Sequence, residues 1–224
     1  MVPIVCLVGK TAAGKTTLAE GLIAELGRRG YRVASIKHDV HSAQLDQPGK
    51  DTWRHAEAGS DLVLLSSPQR VTMFKRVDHD LALNELARLI GLDFDIVIAE
   101  GFKQTRAPKI EVHHRGAGSF LCTPEELLAV VSDGPLDVDL PQYAPDDVAG
   151  LTNLIENTLL RTRDKEQVVL CVNGEALPLS LFPKSVIAST VTGLVSALKG
   201  VGGVGEVEAI ELSIRRKARD GFRS

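Results

Sequence analysis

Residues 9 to 16 read Gly-Lys-Thr-Ala-Ala-Gly-Lys-Thr: a glycine, four residues, then Gly-Lys-Thr. Residue types at this spacing suit one chemistry, the binding of a nucleoside triphosphate. Gly9 and Gly14 let the backbone wrap closely, so that successive N–H groups point at phosphate oxygens. Lys15 supplies a point charge for the β and γ phosphates, and Thr16 offers a hydroxyl to Mg²⁺. Lys10, Thr11, Ala12, Ala13 and Thr17 complete the loop and the helix entry as backbone donors. The Lys10 side chain is expected to face solvent. Thr-Ala-Ala follows it, not the Gly-Gly-x of dimeric ATPases that reach across to a partner's nucleotide. The apolar run Ile4–Val8 precedes the loop and a helical pattern follows it, which is the context the chemistry needs.

A metal-bound triphosphate also needs an acid at the same edge of the sheet. Ile96-Val-Ile-Ala-Glu100 runs four apolar residues into a carboxylate, as in a strand ending at the ligand side of an open α/β sheet. Glu100 is therefore the candidate to hold Mg²⁺ through water or to orient an attacking water. It stands where the usual Asp of a Walker B strand would. The long polar segment after the second strand supplies Lys37, Asp39, Asp46, Lys50, Asp51 and Arg54. These are candidates for contacts to phosphate, to metal or to a second ligand, or for a γ-phosphate-sensing switch. Asp133, after the strand pattern Leu128–Ser132, is placed to accept from guanine N1 and N2 or, equally, to shape the turn before Gly134-Pro135. His38 and His41 could ligate a metal, although a histidine pair in a polar loop is more often solvated. Trp53 could stack on a ring or simply pack.

The elements that position these residues alternate along the chain. Strands are expected at Ile4–Val8, Arg32–Ile36, Leu62–Ser66, Val71–Phe74, Ile96–Ala99, Ile110–His113 and Leu128–Ser132. Helices are expected at Thr17–Arg29, at Asp51–Ala58 with Asp51 as its cap, at Leu81–Ile90 with Asp80 as its cap, and at Asp146–Arg161. This rhythm predicts an α/β fold, a mainly parallel P-loop NTPase sheet flanked by helices. A charged stretch at 161–166 marks a boundary, giving a nucleotide-binding domain over 1–164 and a small extension over 165–224. In the extension, Val168–Val172, the turn Asn173-Gly174 and Glu175–Leu179 read as a hairpin. A helix over Phe182–Leu198, a glycine loop at 200–205 and a strand over Val207–Ile214 complete a ββαβ pattern. It is small enough that docking or dimerisation would help bury its sheet.

Composition excludes several classes. The 224 residues carry a net charge of −3 and only 4% aromatics. This charge gives no reason to expect nucleic acid or an anionic membrane as partner; the short basic run at Arg215 is expected to be solvated. The three cysteines are far apart and form no CxxC, so neither a disulfide framework nor a zinc ribbon is indicated. No apolar run reaches the ~18 residues of a membrane span, and the N-terminus lacks the basic start of a signal peptide. A reduced, cytoplasmic protein is the expectation.

Beyond the loop, the sequence resembles the MobB family of molybdopterin guanine dinucleotide biosynthesis. The resemblance is carried by Ile36-Lys-His-Asp, by Asp46-Gln-Pro-Gly-Lys-Asp-Thr-Trp-Arg54 with Ala58-Gly59, by Ile98-Ala-Glu-Gly-Phe-Lys103 and by Lys109-Ile-Glu-Val, in the family's order over about residues 3–160. Val172-Asn-Gly-Glu, Pro178-Leu and Leu198-Lys-Gly resemble a C-terminal extension found on some members. One departure is visible: Lys10-Thr-Ala-Ala replaces a more polar, Ser-rich loop. The resemblance implies a GTP-binding adaptor with weak GTPase activity. GTP and Mg²⁺ are then the cofactors, a homodimer the expected assembly, and a MobA-type guanylyltransferase the partner, with molybdopterin a further candidate. Two other classes stay open. A small-molecule or nucleoside kinase would need an arginine-rich lid, whereas Arg70, Arg76, Arg106 and Arg115 are scattered. A nucleotide-gated metallochaperone would need His38, His41, His113 and His114 gathered, yet His113 and His114 are adjacent and point to opposite faces of a strand.

Overall fold

The structure is a computed structural model. It describes residues 2–39, 46–91, 93–114, 116, 118–161, 168–172, 175–177, 179–199, 210, 212 and 214. The chain divides into two compact units, Val2–Arg163 and Asp164–Ser224.

The first unit is built on a parallel sheet. Its strands are β1 (Ile4–Gly9), β2 (Val33–Lys37), β5 (Ile96–Glu100), β6 (Lys109–Val112), β7 (Leu127–Val131) and β8 (Gln142–Tyr143), in the spatial order β2-β5-β1-β6-β7-β8. Every neighbouring pair is parallel. β1 and β5 are continuous apolar runs because both faces of the sheet centre are covered. The parallel order brings the C-terminal ends of all strands to one edge. Leu7 pairs with Glu100 and Gly9 with Val112, so the glycine loop and the acid arrive side by side.

The two faces of the sheet are covered differently. On one, α1 (Lys15–Arg28) and α4 (Val148–Ile155) bury Leu18, Leu22, Leu26, Leu151 and Ile155 against Val5, Leu7, Ile98, Ile110 and Val131. α1 keeps its stripe at the i, i+4 spacing of an amphipathic helix. The other face is smaller. Leu83 of α3 (Leu83–Ile90) and loop residues such as Phe102, Phe120, Leu136 and Leu140 cover Cys6, Val8, Ala99 and Val130. Here β6 presents Lys109 and Glu111, and His113 follows just past its end, all three buried. A register shift between Lys109 and Ile110 inserts an extra β7 residue at the base of β6. The remaining elements, α2 (Asp51–Glu57) and the hairpin β3 (Leu62–Ser67)–β4 (Arg70–Lys75), form a separate two-stranded sheet with a short helix that buries none of its residues.

Several boundaries shift from the sequence expectation, for local reasons. α1 starts at Lys15, not Thr17, because the loop feeds directly into the helix through Gly14 at φ 86°. Asp80 does not cap α3, which begins at Leu83; its carboxylate instead accepts from His38 Nε2 at 2.9 Å. Asp51 is the first residue of α2, not its cap, and Asp46 holds that entry by accepting from Thr52 Oγ1 at 3.1 Å. The expected Asp146–Arg161 helix is α4, capped by Asp147 accepting from Gly150 N at 2.9 Å, followed by a π turn over Glu156–Leu160. Arg29 reaches this turn from α1, donating to Glu156 at 2.6 Å and Asn153 at 2.7 Å.

In the second unit, β9 (Leu170–Val172) and β10 (Glu175–Leu177) pair antiparallel, Val172 opposite Glu175. α5 (Leu181–Ser196) follows. The turn Asn173-Gly174, the glycine loop 200–205, the Arg215 cluster and most of the expected strand 207–214 lie outside the described residues.

Candidate functional site

The loop between β1 and α1 is held by contacts that only small residues allow. A Cβ on Gly9 would sit 2.6 Å from the Val112 carbonyl oxygen, so β6 approaches too closely for any side chain. Ala12 takes a left-handed φ of 61° and Gly14 of 86°, and Ala13 N donates to Lys10 O at 3.2 Å. Such a succession of turned residues aims backbone amides inward. α1 then begins without an acid in its first turn, which leaves its positive end to an external anion. Lys15 Nζ donates to the carbonyls of Gly9 at 3.0 Å and Lys10 at 2.8 Å, so its charge is folded over the loop itself.

Thr16 Oγ1 donates to Glu100 Oε2 at 2.9 Å. Glu100 ends β5, its backbone carbonyl accepts from His38 N at 3.2 Å, and Lys37 is its register partner on β2. A hydroxyl and a carboxylate, side by side at a phosphate-type loop, are a donor set that fits Mg²⁺. Lys37 and Asp39 leave the sheet at this same edge. The other segment residues are used on their own element: Asp46 on Thr52 and on Gln47 N, and Asp51 beside Arg54 at 3.9 Å. Lys50 stands at the N-cap position of α2. Asp133 follows β7 at the same sheet edge, half-exposed, 3.3 Å from His114 Nδ1.

The candidate metal histidines are not gathered. His38 is bound to Asp80, His113 to Glu111 at 3.4 Å and His114 to Asp133, while His41 lies outside the described residues. Among the described residues no group of three or more His, Cys, Asp or Glu side chains is placed to hold a metal ion.

Three features were not singled out in the sequence. Glu111 is fully buried, and its carboxylate accepts from Leu121 N at 2.9 Å and Cys122 N at 3.1 Å as well as facing His113. Lys109, equally buried, donates to the Thr105 carbonyl and to Glu126 Oε1 at 3.2 Å. Glu126 is held below the usual carboxylate range, first by the Thr123 N–H and then by Lys109. The alternation Lys-Ile-Glu-Val-His was the available signal, but it reads as a strand with one wet face. The third is the His38–Asp80 pair, which lines a cavity beside the loop with Phe102, Lys103 and Gln104.

The fold and this edge define a P-loop NTPase-like α/β protein. The sequence profile of "Molybdopterin guanine dinucleotide synthesis protein B" matches residues 4–133. A "Molybdopterin-guanine dinucleotide biosynthesis adapter protein" of Haemophilus influenzae is 37% identical over 160 residues, 70% of this chain and 90% of its own. A putative adapter protein of the same description from Methanocaldococcus jannaschii is 24% identical over 223 residues, covering 88% of this chain and 92% of its own. The crystal structure of Bacillus subtilis MobB superposes with a TM-score of 0.58 at 26% identity, covering 70% of this chain and 98% of that one. The chain belongs to the MobB family. Among the described residues no helix is long and apolar enough to cross a membrane.

Proposed function

We propose that this chain is a GTP-binding adaptor with weak GTPase activity that assists the attachment of GMP to molybdopterin by a MobA-type guanylyltransferase in the cytoplasm. The observation that carries the nucleotide reading is the 2.9 Å bond from Thr16 to Glu100 at the mouth of the loop. In this reading Gly9 to Thr17 cradle the triphosphate with their amides. Lys15 turns from the loop carbonyls to the β and γ phosphates, Thr16 and Glu100 hold Mg²⁺, and Asp133 reads guanine. When bound, the metal would neutralise charge between the phosphates. Glu100, held 2.9 Å from Thr16, is also the acid placed to orient water in this reading. Turnover in this reading is slow because stabilising the transferred phosphoryl group usually takes an arginine, and the scattered arginines of the sequence form no motif that supplies one in cis.

The assembly in this reading is a homodimer. The hairpin β3–β4 leaves Leu62, Leu64, Val71 and Met73 on one face, each 45–64% exposed. A two-stranded hairpin is marginal alone, and a contiguous apolar face of this kind favours a partner. A second copy offers the same face, as an isologous contact requires. The C-terminal unit extends the reading, since the M. jannaschii relative aligns over 88% of the chain; in this proposal it serves as a small separate domain.

Equilibrium titration with GTP and ATP in Mg²⁺, paired with reconstitution of guanine-dinucleotide formation, tests the function. Tighter GTP binding, slow hydrolysis and faster dinucleotide formation are expected. A preference for ATP with no effect on dinucleotide formation would overturn the proposal. Phosphate transfer to a small acceptor far faster than hydrolysis would replace it with a kinase.

A further inference from the structure

A cavity of about 510 Å³ opens beside the phosphate loop, bounded by Gly9 and Lys15 on one side and by His38, Asp80–Leu83, Phe102–Thr105 and Leu121 on the others. It is not the trough of the loop, since none of Thr11 to Gly14, Thr16 or Glu100 lines it. Its volume lies in the range of sites for small organic ligands. Its walls are mostly apolar, with a few polar groups converging, the pattern that orients a ligand rather than merely wetting it.

We propose that this cavity binds a flat phosphorylated heterocycle of the pterin class, with Lys103 taking the phosphate and the ring lying among Phe102, Leu81 and Leu121. The proposal rests on the adaptor reading and deepens it by placing the second component. The charge argues for an anion: Lys15 and Lys103 both line the cavity, and the one carboxylate among its described lining residues, Asp80, is engaged by His38 at 2.9 Å. The shape argues for a plane. His38 and Phe102 pack on one another with ring centroids 4.7 Å apart and tilted by 32°, so each holds the other in place among the residues that line the cavity, and a heterocycle can lie on the face this leaves.

The wall is preformed. Phe102 holds a left-handed φ of 59°, costly for a bulky residue unless its surroundings enforce it. They do: Thr105 N and Oγ1 both donate to the Phe102 carbonyl, at 3.1 and 3.0 Å, and buried Lys109 donates to the Thr105 carbonyl. Gly101 lets His38 close in, since a Cβ there would lie 3.3 Å from His38 Cβ. Strain held this firmly in a loop after the metal-side acid is a mark of a binding surface.

The position adds a functional consequence. The cavity meets the loop at Lys15, the residue that takes the β and γ phosphates in this motif. A pterin phosphate bound here would sit on the Lys15 side of the loop, away from the α-phosphorus if Lys15 takes the terminal phosphates. Both components are held together without being joined, which leaves the joining to another enzyme.

The test is a titration of the full chain with neopterin 3′-monophosphate, read by pterin fluorescence, with unphosphorylated neopterin alongside. Binding is expected with the loop empty and equally with the loop saturated by GDP and Mg²⁺. Lys103→Ala should weaken it about tenfold, one charge-assisted contact, and unphosphorylated neopterin should bind weaker by a similar factor. Leu81→Trp, which fills the cavity, should abolish it. GDP affinity should be unchanged in both variants. Displacement of the probe by GDP, or indifference to both substitutions, would overturn the proposal. Since GDP affinity is measured in the same titrations, its absence overturns the reading of the loop, while the pterin signal judges the cavity separately.

Discussion

Thr16 Oγ1 and Glu100 Oε2 are 2.9 Å apart although 84 residues separate them in the chain. One residue lies in the first turn of α1 and the other ends β5. The pairing of β1 with β5, Leu7 opposite Glu100, is what brings them together. Glu100→Gln keeps the shape of this pair and removes the negative charge. GTP affinity should change by less than about threefold, while single-turnover hydrolysis should fall by roughly tenfold or more. Equal loss of binding and hydrolysis would make Glu100 a structural residue.

Lys15 tests the loop. Lys15→Ala should lower GTP affinity about 100-fold, the worth of two charge-assisted contacts. Circular dichroism and melting temperature should stay close to those of the parent, because among the described residues the hydrogen bonds of the Lys15 side chain go to carbonyls of its own loop. Unchanged GTP affinity would remove the central claim about this site.

Acid stability has a local contribution at Glu25. Hydrogen bonds from Arg28 first, then Arg29, lower its carboxyl from the ordinary 4.5 to about 2. A group depressed on folding stabilises above its unfolded value and loses that contribution as pH falls through the folded one. The contribution is therefore whole above pH 4.5 and fades toward about 2. Glu25→Gln should flatten the fall in melting temperature across this window and leave the slope near neutrality unchanged. An identical acid limb in parent and variant would show the network to be thermodynamically silent.

The hairpin tests the assembly. Leu64→Glu and Met73→Glu each place a charge on the exposed face of β3–β4, opposite one another in the register. Sedimentation velocity at micromolar concentration should shift from dimer to monomer in either variant. A dimer indifferent to both would place the contact elsewhere.

Much of this was legible in the chain. The alternation of buried runs and amphipathic stretches specified a parallel sheet, and Gly9 to Thr16 stood out because their chemistry is local in sequence. The place of Glu100 at the end of a buried strand was readable because four apolar residues run into it, and the structure sets it beside Thr16. The β6 residues were not. Lys109, Glu111 and His113 alternate with Ile110 and Val112, and no period distinguishes a polar face turned to water from one turned to loop carbonyls and amides. Asp80 was read as a helix cap because only proximity in sequence was visible, whereas its partner His38 lies 42 residues away. The cavity was hidden for the same reason, being assembled from loops that share no motif.

The unequal cover of the sheet has a kinetic consequence. Amides of the strands beneath α1 and α4 should exchange with solvent only when the whole unit opens, since the residues there are the most deeply buried. Those of Leu121 and Cys122 depend on one carboxylate, that of Glu111, and can be released by a smaller local opening. Hydrogen exchange should therefore run in two tiers, with the ligand-facing loops in the faster one. The loop over Glu111 can then open while the strands that define the fold stay paired.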